Sequence, residues 1–289
     1  MFTTLISVSQ LQALRASHQP LLVMDCSFDL MNPAAGHLQY EDRHIPGSVH
    51  VDLDDHLSDK SGADRASGGR HPLPSRETVA ARLRQLGLNP DTQVVVMDRQ
   101  GANYCGRLWW MLKWCGHEAV AVLDGGMAAW EAAGGELASG PSVPPATGRF
   151  DLGPPQVRTL DAQAVFAGLG RPDLTLVDAR AAARFRGEVE PLDPVAGHIP
   201  GALNRPFADN LGPDGHFKPA AQLRAEFEIL LAGRDPASVV HHCGSGVSAI
   251  PNLLAMEIAG LGRTALFPGS WSEWCNTPGL PCARSQVPA

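Results

Sequence analysis

His198-Ile199-Pro200-Gly201 repeats, letter for letter, the stretch His44-Ile45-Pro46-Gly47 that stands 154 residues earlier in a chain of 289. Self-similarity fixes architecture before any single motif does, and here the match extends outward on both sides. Upstream, Leu22-Val23-Met24-Asp25, an apolar run ending in an acid, is answered by Leu176-Val177-Asp178. Downstream, Val94 to Asp98 is answered by Ser238 to Cys243, and Gly125 to Trp130 by Gly269 to Trp274, now at an offset of 144. Four landmarks in one order imply two copies of one fold, the offset shrinking where a loop of the first copy is longer.

Within each copy, short β-branched runs such as Val94-Val95-Val96 and Thr175-Leu176-Val177 alternate with helical patterns such as Arg76 to Gly87 and Leu223 to Leu231. That alternation reads as α/β. Apolar runs without polar alternation suit central strands covered on both faces, the habit of a parallel sheet. Between the copies, Gly134 to Pro155 holds five prolines and five glycines, which deny it a regular helix or ladder. The expected division is a first domain over 1–138, a partly extended linker over 139–156 and a second domain over 157–289.

A net charge of -7 disfavours non-specific binding to nucleic acid or to a membrane surface, since both need a cationic face. The N-terminal MFTTLISVSQLQALRASHQP has no basic region leading into an unbroken apolar core, and no stretch approaches the roughly 20 apolar residues of a membrane span. A cytoplasmic protein is expected. The six cysteines show neither a C-x-x-C spacing nor the paired framework of a small secreted domain, so most read as buried free thiols.

One cysteine stands apart through its surroundings. The apolar run Ser238 to His242 leads into Cys243-Gly244-Ser245-Gly246-Val247-Ser248-Ala249 and then a helical stretch from about Pro251 to Ile258. A strand, a loop of small residues and a helix N-terminus together form an anion cradle, because successive backbone N–H groups and the helix dipole converge on one point. A cysteine at the mouth of that cradle has its own thiolate stabilised, its pKa falling from about 8.5 toward roughly 3.5–7.5. Cys243 is the expected nucleophile, with Gly244, Gly246, Val247 and Ser248 forming the substrate cradle.

The order DAR (178–180), RFRG (184–187), GHIPGALN (197–204), CGSGVSA (243–249) and GSWSEW (269–274) resembles the catalytic half of two-domain rhodaneses. The first half resembles their inactive half, with Asp98 where the cysteine would stand. The resemblance implies two tandem rhodanese-like α/β domains, each a central, mainly parallel sheet flanked by helices. The CGSGV loop is most similar to that of the 3-mercaptopyruvate sulfurtransferases of this family; thiosulfate sulfurtransferases characteristically carry cationic residues after the cysteine. A compact dianion such as thiosulfate gains from such charges, and Gly244 and Ser245 supply none. In mercaptopyruvate the carboxylate lies away from the thiol, within reach of an arginine fork.

From the same resemblance, Arg186 in the RFRG motif is the carboxylate-binding arginine, while a second arginine usual in an E-P-R context is replaced here by Leu192 in Glu190-Pro191-Leu192-Asp193. It also implies a proton relay of Ser245, His71 and Asp54, a persulfide on Cys243, no added cofactor, and cyanide, a thiol or reduced thioredoxin as acceptor. Thiosulfate:cyanide transfer and a redox-sensing module remain the alternatives. A phosphatase of the H-C-x5-R type would need arginine where Ala249 stands. A metal site at His241-His242-Cys243 is disfavoured because successive strand residues point to opposite faces.

Overall fold

The structure, a computed structural model, describes residues 1–62, 64–143 and 145–285. The chain forms two compact units: Met1–Asp64, Pro74–Gln156 and Leu211–Phe217 make the first, and Arg65–Leu73, Val157–Asn210 and everything from Lys218 onward make the second. The stretch 139–156 read as a linker therefore clusters with the first unit. Its backbone is held there by Gly148 N–H to Arg84 (2.8 Å) and Gly153 N–H to Cys115 (2.9 Å).

In the first unit, β1 (Leu5–Ile6), α1 (Val8–Ala16), β2 (Leu21–Asp25), α2 (Ala34–Asp42), β3 (Val49–His50), α3 (Arg76–Gln85), β4 (Gln93–Met97), α4 (Cys105–Trp114), β5 (Val120–Leu123) and α5 (Gly126–Ala132) follow in order. The strands form one parallel sheet in the order β1-β5-β4-β2-β3. All five residues of β4 are buried, as a strand covered on both faces requires.

The second unit repeats the scheme with β6 (Arg158–Thr159), α6 (Ala162–Gly168), β7 (Thr175–Asp178), α7 (Ala182–Arg186), β8 (Leu203–Asn204), α8 (Ala220–Leu231), β9 (Val239–His242), α9 (Ile250–Ile258), β10 (Ala265–Leu266) and α10 (Ser270–Trp274). Its sheet, also parallel, runs β6-β10-β9-β7-β8. The chain leaves β7 toward β8 on one side and β9 toward β10 on the other. The crevice at the carboxyl ends of β7 and β9 is thus the topological switch point, where open α/β sheets bind ligands.

The repeated His-Ile-Pro-Gly turns fix the fold. His44 stacks on Tyr40 at 4.0 Å and bonds its carbonyl through Nδ1 (2.8 Å), and His198 does the same with Phe185 (4.0 Å and 2.7 Å). Gly47 and Gly201 end the turns at φ of 77° and 80°, a region that only glycine enters without steric cost. Trp130 closes the first core beside Met127 and Ile45, and Trp271 and Trp274 close the second beside Val240 and Phe267. Among the described residues, no helix is long and apolar enough to cross a membrane.

The extra length of the first copy lies between β3 and α3. Arg65–Leu73, from that loop, belongs to the second unit.

Candidate active site

Strand β9 delivers Cys243 to the switch point with 2% of its surface exposed. The loop that follows is clamped by the start of α10: Cys243 N–H donates to Ser270 Oγ (3.1 Å), and the carbonyls of Cys243 and Gly244 accept from Trp271 (3.0 Å) and Ser272 (2.8 Å). Gly246 has φ of 74°, and a Cβ there would fall 2.2 Å from the Pro268 carbonyl oxygen. Any side chain at 246 would push the loop off that wall. Ser270 itself has φ of 56°, a conformation costly for a residue with a Cβ. The bond from Cys243 and a second to the Phe267 carbonyl (2.9 Å) hold it there.

The first unit shows what a loop of this length is built to hold. From Asp98 to the start of α4 at Cys105 is the same distance along the chain as from Cys243 to the start of α9 at Ile250. Gly101 and Gly246 occupy the same place in it, both at positive φ (68° and 74°). The Asp98 carboxylate, 2% exposed, accepts four backbone N–H bonds, from Gln100 and Ala102 (3.0 Å each), Tyr104 (2.8 Å) and Cys105 (2.9 Å). The first cradle holds an anion that belongs to its own chain. In the second, the donors at the matching positions include the N–H groups of Ser245, Val247 and Ala249.

Ser245 Oγ lies 2.7 Å from His71 Nδ1, and both residues are buried. Asp54 belongs to the first unit, where its carboxylate pairs with Lys60 at 2.6 Å. Two of the three relay residues are therefore brought together within the second unit. Ala249 is fully buried, so no guanidinium stands at the position a phosphatase would need.

Arg186 is engaged at the surface. Its side chain is 42% exposed, and its Nε and Nη2 hold Glu188 at 2.6 and 2.9 Å. The arginine of the RFRG motif beside the loop is Arg184, whose Nη1 would lie 3.6 Å from a Cβ on Gly244. Residues two apart on a helix point about 200° away from each other, so only one of the pair can face the cysteine. Arg70 stands there too, its Nη2 3.0 Å from the same point. The loop is neutral in sequence yet flanked by guanidinium groups from elsewhere in the chain.

These arginines belong to a chain of alternating charges. Asp178 holds Arg180 (2.7 Å), Arg180 reaches Glu190 (3.3 Å), Glu190 holds Arg184 (2.6 Å), and Asp193 bridges Arg184 (3.4 Å) to Arg70 (2.6 Å). Burial works to lower the Arg180 pKa, but Asp178, Glu190 and Cys243 together raise it. Its guanidinium also lies over the Trp271 ring at 4.8 Å. Arg70, Arg184 and Ser270 are functional candidates absent from the sequence reading, although Arg184 and Ser270 stand inside the quoted RFRG and GSWSEW motifs.

Burial pushes His241 down to about 3 and lowers His242 as well. Both are neutral in the fold, whereas in the unfolded chain they titrate near 6.5. The stability this contributes is complete above about pH 6.5 and is lost as pH falls toward the folded value, by at most about 1.4 kcal/mol per pH unit for each histidine. Urea unfolding at pH 7 and pH 5 should show that loss, with a shallower dependence in His241→Gln. An identical dependence in the variant would contradict it.

Residues 7–133 and 161–277 each match the rhodanese-like domain family. The chain is 47% identical over 281 residues to a probable 3-mercaptopyruvate sulfurtransferase of Pseudomonas aeruginosa, covering 96% of this chain and 97% of that one. It is 41% identical over 288 residues to a putative thiosulfate sulfurtransferase, SseB, of Mycobacterium tuberculosis, covering 97% and 96%. The crystal structure of SseA from Escherichia coli, a 3-mercaptopyruvate sulfotransferase of rhodanese fold, superimposes with a TM-score of 0.78 at 31% identity, covering 94% of this chain and all of that one. Two copies of one parallel sheet, one cradle closed by an aspartate and the other opening on a cysteine, and these relatives agree: the chain belongs to the two-domain rhodanese-like sulfurtransferases.

Proposed function

We propose that this protein moves sulfane sulfur from 3-mercaptopyruvate to a small thiophilic acceptor through a persulfide on Cys243. The observation that carries the reading is the Asp98 cradle. Counted from Cβ, the oxygens of an aspartate and the terminal sulfur of a cysteine persulfide are each two bonds away. A loop that ties down the one with four N–H bonds has, in its second copy, the shape to hold the other.

In the first half-reaction the Cys243 thiolate attacks the donor sulfur, an S–S bond forms, the donor C–S bond breaks, and the enolate of pyruvate leaves. The proton of the donor thiol ends on the methyl carbon of pyruvate. The Ser245–His71 pair, 2.7 Å apart, is suited to carry it, with Asp54 as the orienting acid of the relay. An acceptor thiolate or cyanide then takes the outer sulfur and restores Cys243, a ping-pong cycle. Reduced thioredoxin fits the thiol class of acceptor. A reducing, cytoplasmic setting goes with this chemistry, since all six cysteines are free thiols.

No other cysteine offers a comparable nucleophile. Burial pushes the Cys26 and Cys105 thiols well up, Cys115 to about 12 and Cys275 to about 11, and it raises Cys282. Carboxylate recognition falls to the guanidinium groups at Gly244, Arg184 Nη1 among them, because they border the cysteine loop whereas Arg186 is exposed and paired with Glu188. Steady-state transfer to cyanide should favour mercaptopyruvate over thiosulfate. Arg184→Ala should lower kcat/KM for mercaptopyruvate about 10- to 100-fold, and Arg186→Ala should stay within about twofold of the parent. A preference for thiosulfate would overturn the donor assignment; a large effect at Arg186 would return the carboxylate to it.

A further inference from the structure

Ser272 stands where the two copies of the fold differ. Gly269 to Trp274 answers Gly125 to Trp130, so its counterpart in the first copy is Ala128. The helix is anchored alike in both, Trp271 N–H donating to the Cys243 carbonyl (3.0 Å) and Met127 N–H to the Asp98 carbonyl (3.2 Å). An alanine therefore suffices to build it. Yet Ala128 is exposed, while Ser272 is only 5% exposed. The cover is the segment Arg65–Leu73 of the second unit, which lies flush on α10. A Cβ on Gly69 would fall 2.7 Å from Ser272 Oγ and 2.6 Å from the Gly269 carbonyl oxygen, and one on Gly68 would fall 2.8 Å from Glu273 Oε1. Gly69, at φ of 87°, permits that approach.

Ser272 holds two segments at once. Its N–H donates to the Gly244 carbonyl (2.8 Å). Its hydroxyl donates to the Gly269 carbonyl (3.3 Å), which leaves an oxygen lone pair for the Arg70 N–H (2.9 Å). Gly244 immediately precedes Ser245, and Arg70 immediately precedes His71. The two ties at Ser272 thus fall one residue before each member of the Ser245–His71 pair, whose Oγ and Nδ1 lie 2.7 Å apart. A misplacement of about 1 Å in a reacting geometry can cost on the order of 100-fold in rate. One hydroxyl, absent from the copy that has no cysteine, sets that spacing from the side of the histidine.

We propose that Ser272 is a positioning residue of the sulfur-transfer reaction, its hydroxyl setting the segment that carries His71 in register with the cysteine loop. It acts through His71 rather than on the donor. The inference rests on the proposed Ser245–His71 proton transfer, and the test separates the two.

The test follows pyruvate release in a single turnover, over a range of 3-mercaptopyruvate concentrations, in the parent protein, Ser272→Ala, His71→Gln and the variant carrying both. Alanine at 272 keeps the N–H bond to Gly244 and matches Ala128 of the first copy, so the variant should fold, as circular dichroism can check. Ser272→Ala should release pyruvate about 10- to 30-fold more slowly at saturating donor, with the half-saturating concentration within about threefold of the parent. In the His71→Gln background the same substitution should cost less than about twofold, because residues that act through one group are not additive. A full loss in both backgrounds, no loss in either, or a loss confined to the half-saturating concentration would overturn the role of Ser272. A His71→Gln variant that releases pyruvate at the parent rate would overturn the proton-transfer reading, and the role of Ser272 with it.

Discussion

Cys243→Ser should retain the fold and lose sulfur transfer by at least about three orders of magnitude, because an alkoxide cannot hold the sulfur that the second half-reaction needs. The substitution is nearly isosteric. The bonds that clamp the loop come from the backbone of Cys243 and from Ser270, Trp271 and Ser272, and all of them survive. Stability should therefore change by no more than about 1–2 kcal/mol. The other cysteines are poor substitutes, since burial raises the pKa of each thiol. Circular dichroism and cyanide-acceptor turnover on one preparation check both halves of the statement. Residual turnover at a tenth of the parent rate would mean that another group carries sulfur.

Asp98→Ala is expected to be the most damaging substitution for stability outside the apolar cores, at about 3–5 kcal/mol. Four buried backbone N–H groups lose their shared acceptor. The space around the loop is too small to admit a full set of waters, since the adjoining cavity lined by Gly101, Ala102 and Phe217 measures about 10 Å³. Asp98→Asn keeps one oxygen and places an NH2 group where a second acceptor is required, so it should fall between the alanine variant and the parent. Urea unfolding followed by tryptophan fluorescence is weighted toward the first unit, which holds Trp109, Trp110, Trp114 and Trp130 against Trp271 and Trp274 in the second. A loss below about 1 kcal/mol in the alanine variant would contradict the account of the cradle.

Much of this architecture was legible in the chain before any coordinates. The twice-written landmarks lie at strand ends and turns, where a parallel sheet needs an apolar run, a stacked histidine or a positive φ, so they survive in both copies. The cysteine loop was legible because small residues between a buried strand and a helix have few other reasons to be there. Its contact with His71 arises from chemistry of the pair, not from anything the intervening sequence encodes, and was available only through the family resemblance.

The arginines were not legible to the same degree. Arg184 and Arg186 stand in one motif on a helix of five residues. Which of them faces the cysteine depends on the phase of that helix against the sheet, set by packing and by Gly187 at φ of 80°. Arg70 was hidden for a different reason. Its segment is the extra length of the first copy, and nothing in its composition says that Arg65–Leu73 belongs to the second unit. Long-range assignments of this kind are fixed by tertiary contacts that no local pattern records.

The proposed role of Cys243 is to carry sulfur between donor and acceptor. It is tested most directly by mixing the protein with 3-mercaptopyruvate in the absence of any acceptor, then measuring pyruvate release and the masses of the cysteine peptides. One pyruvate per chain is expected, with a single added sulfur on the peptide that contains Cys243, removed again by cyanide. Pyruvate release with no added sulfur, or the sulfur on a different cysteine, would contradict it.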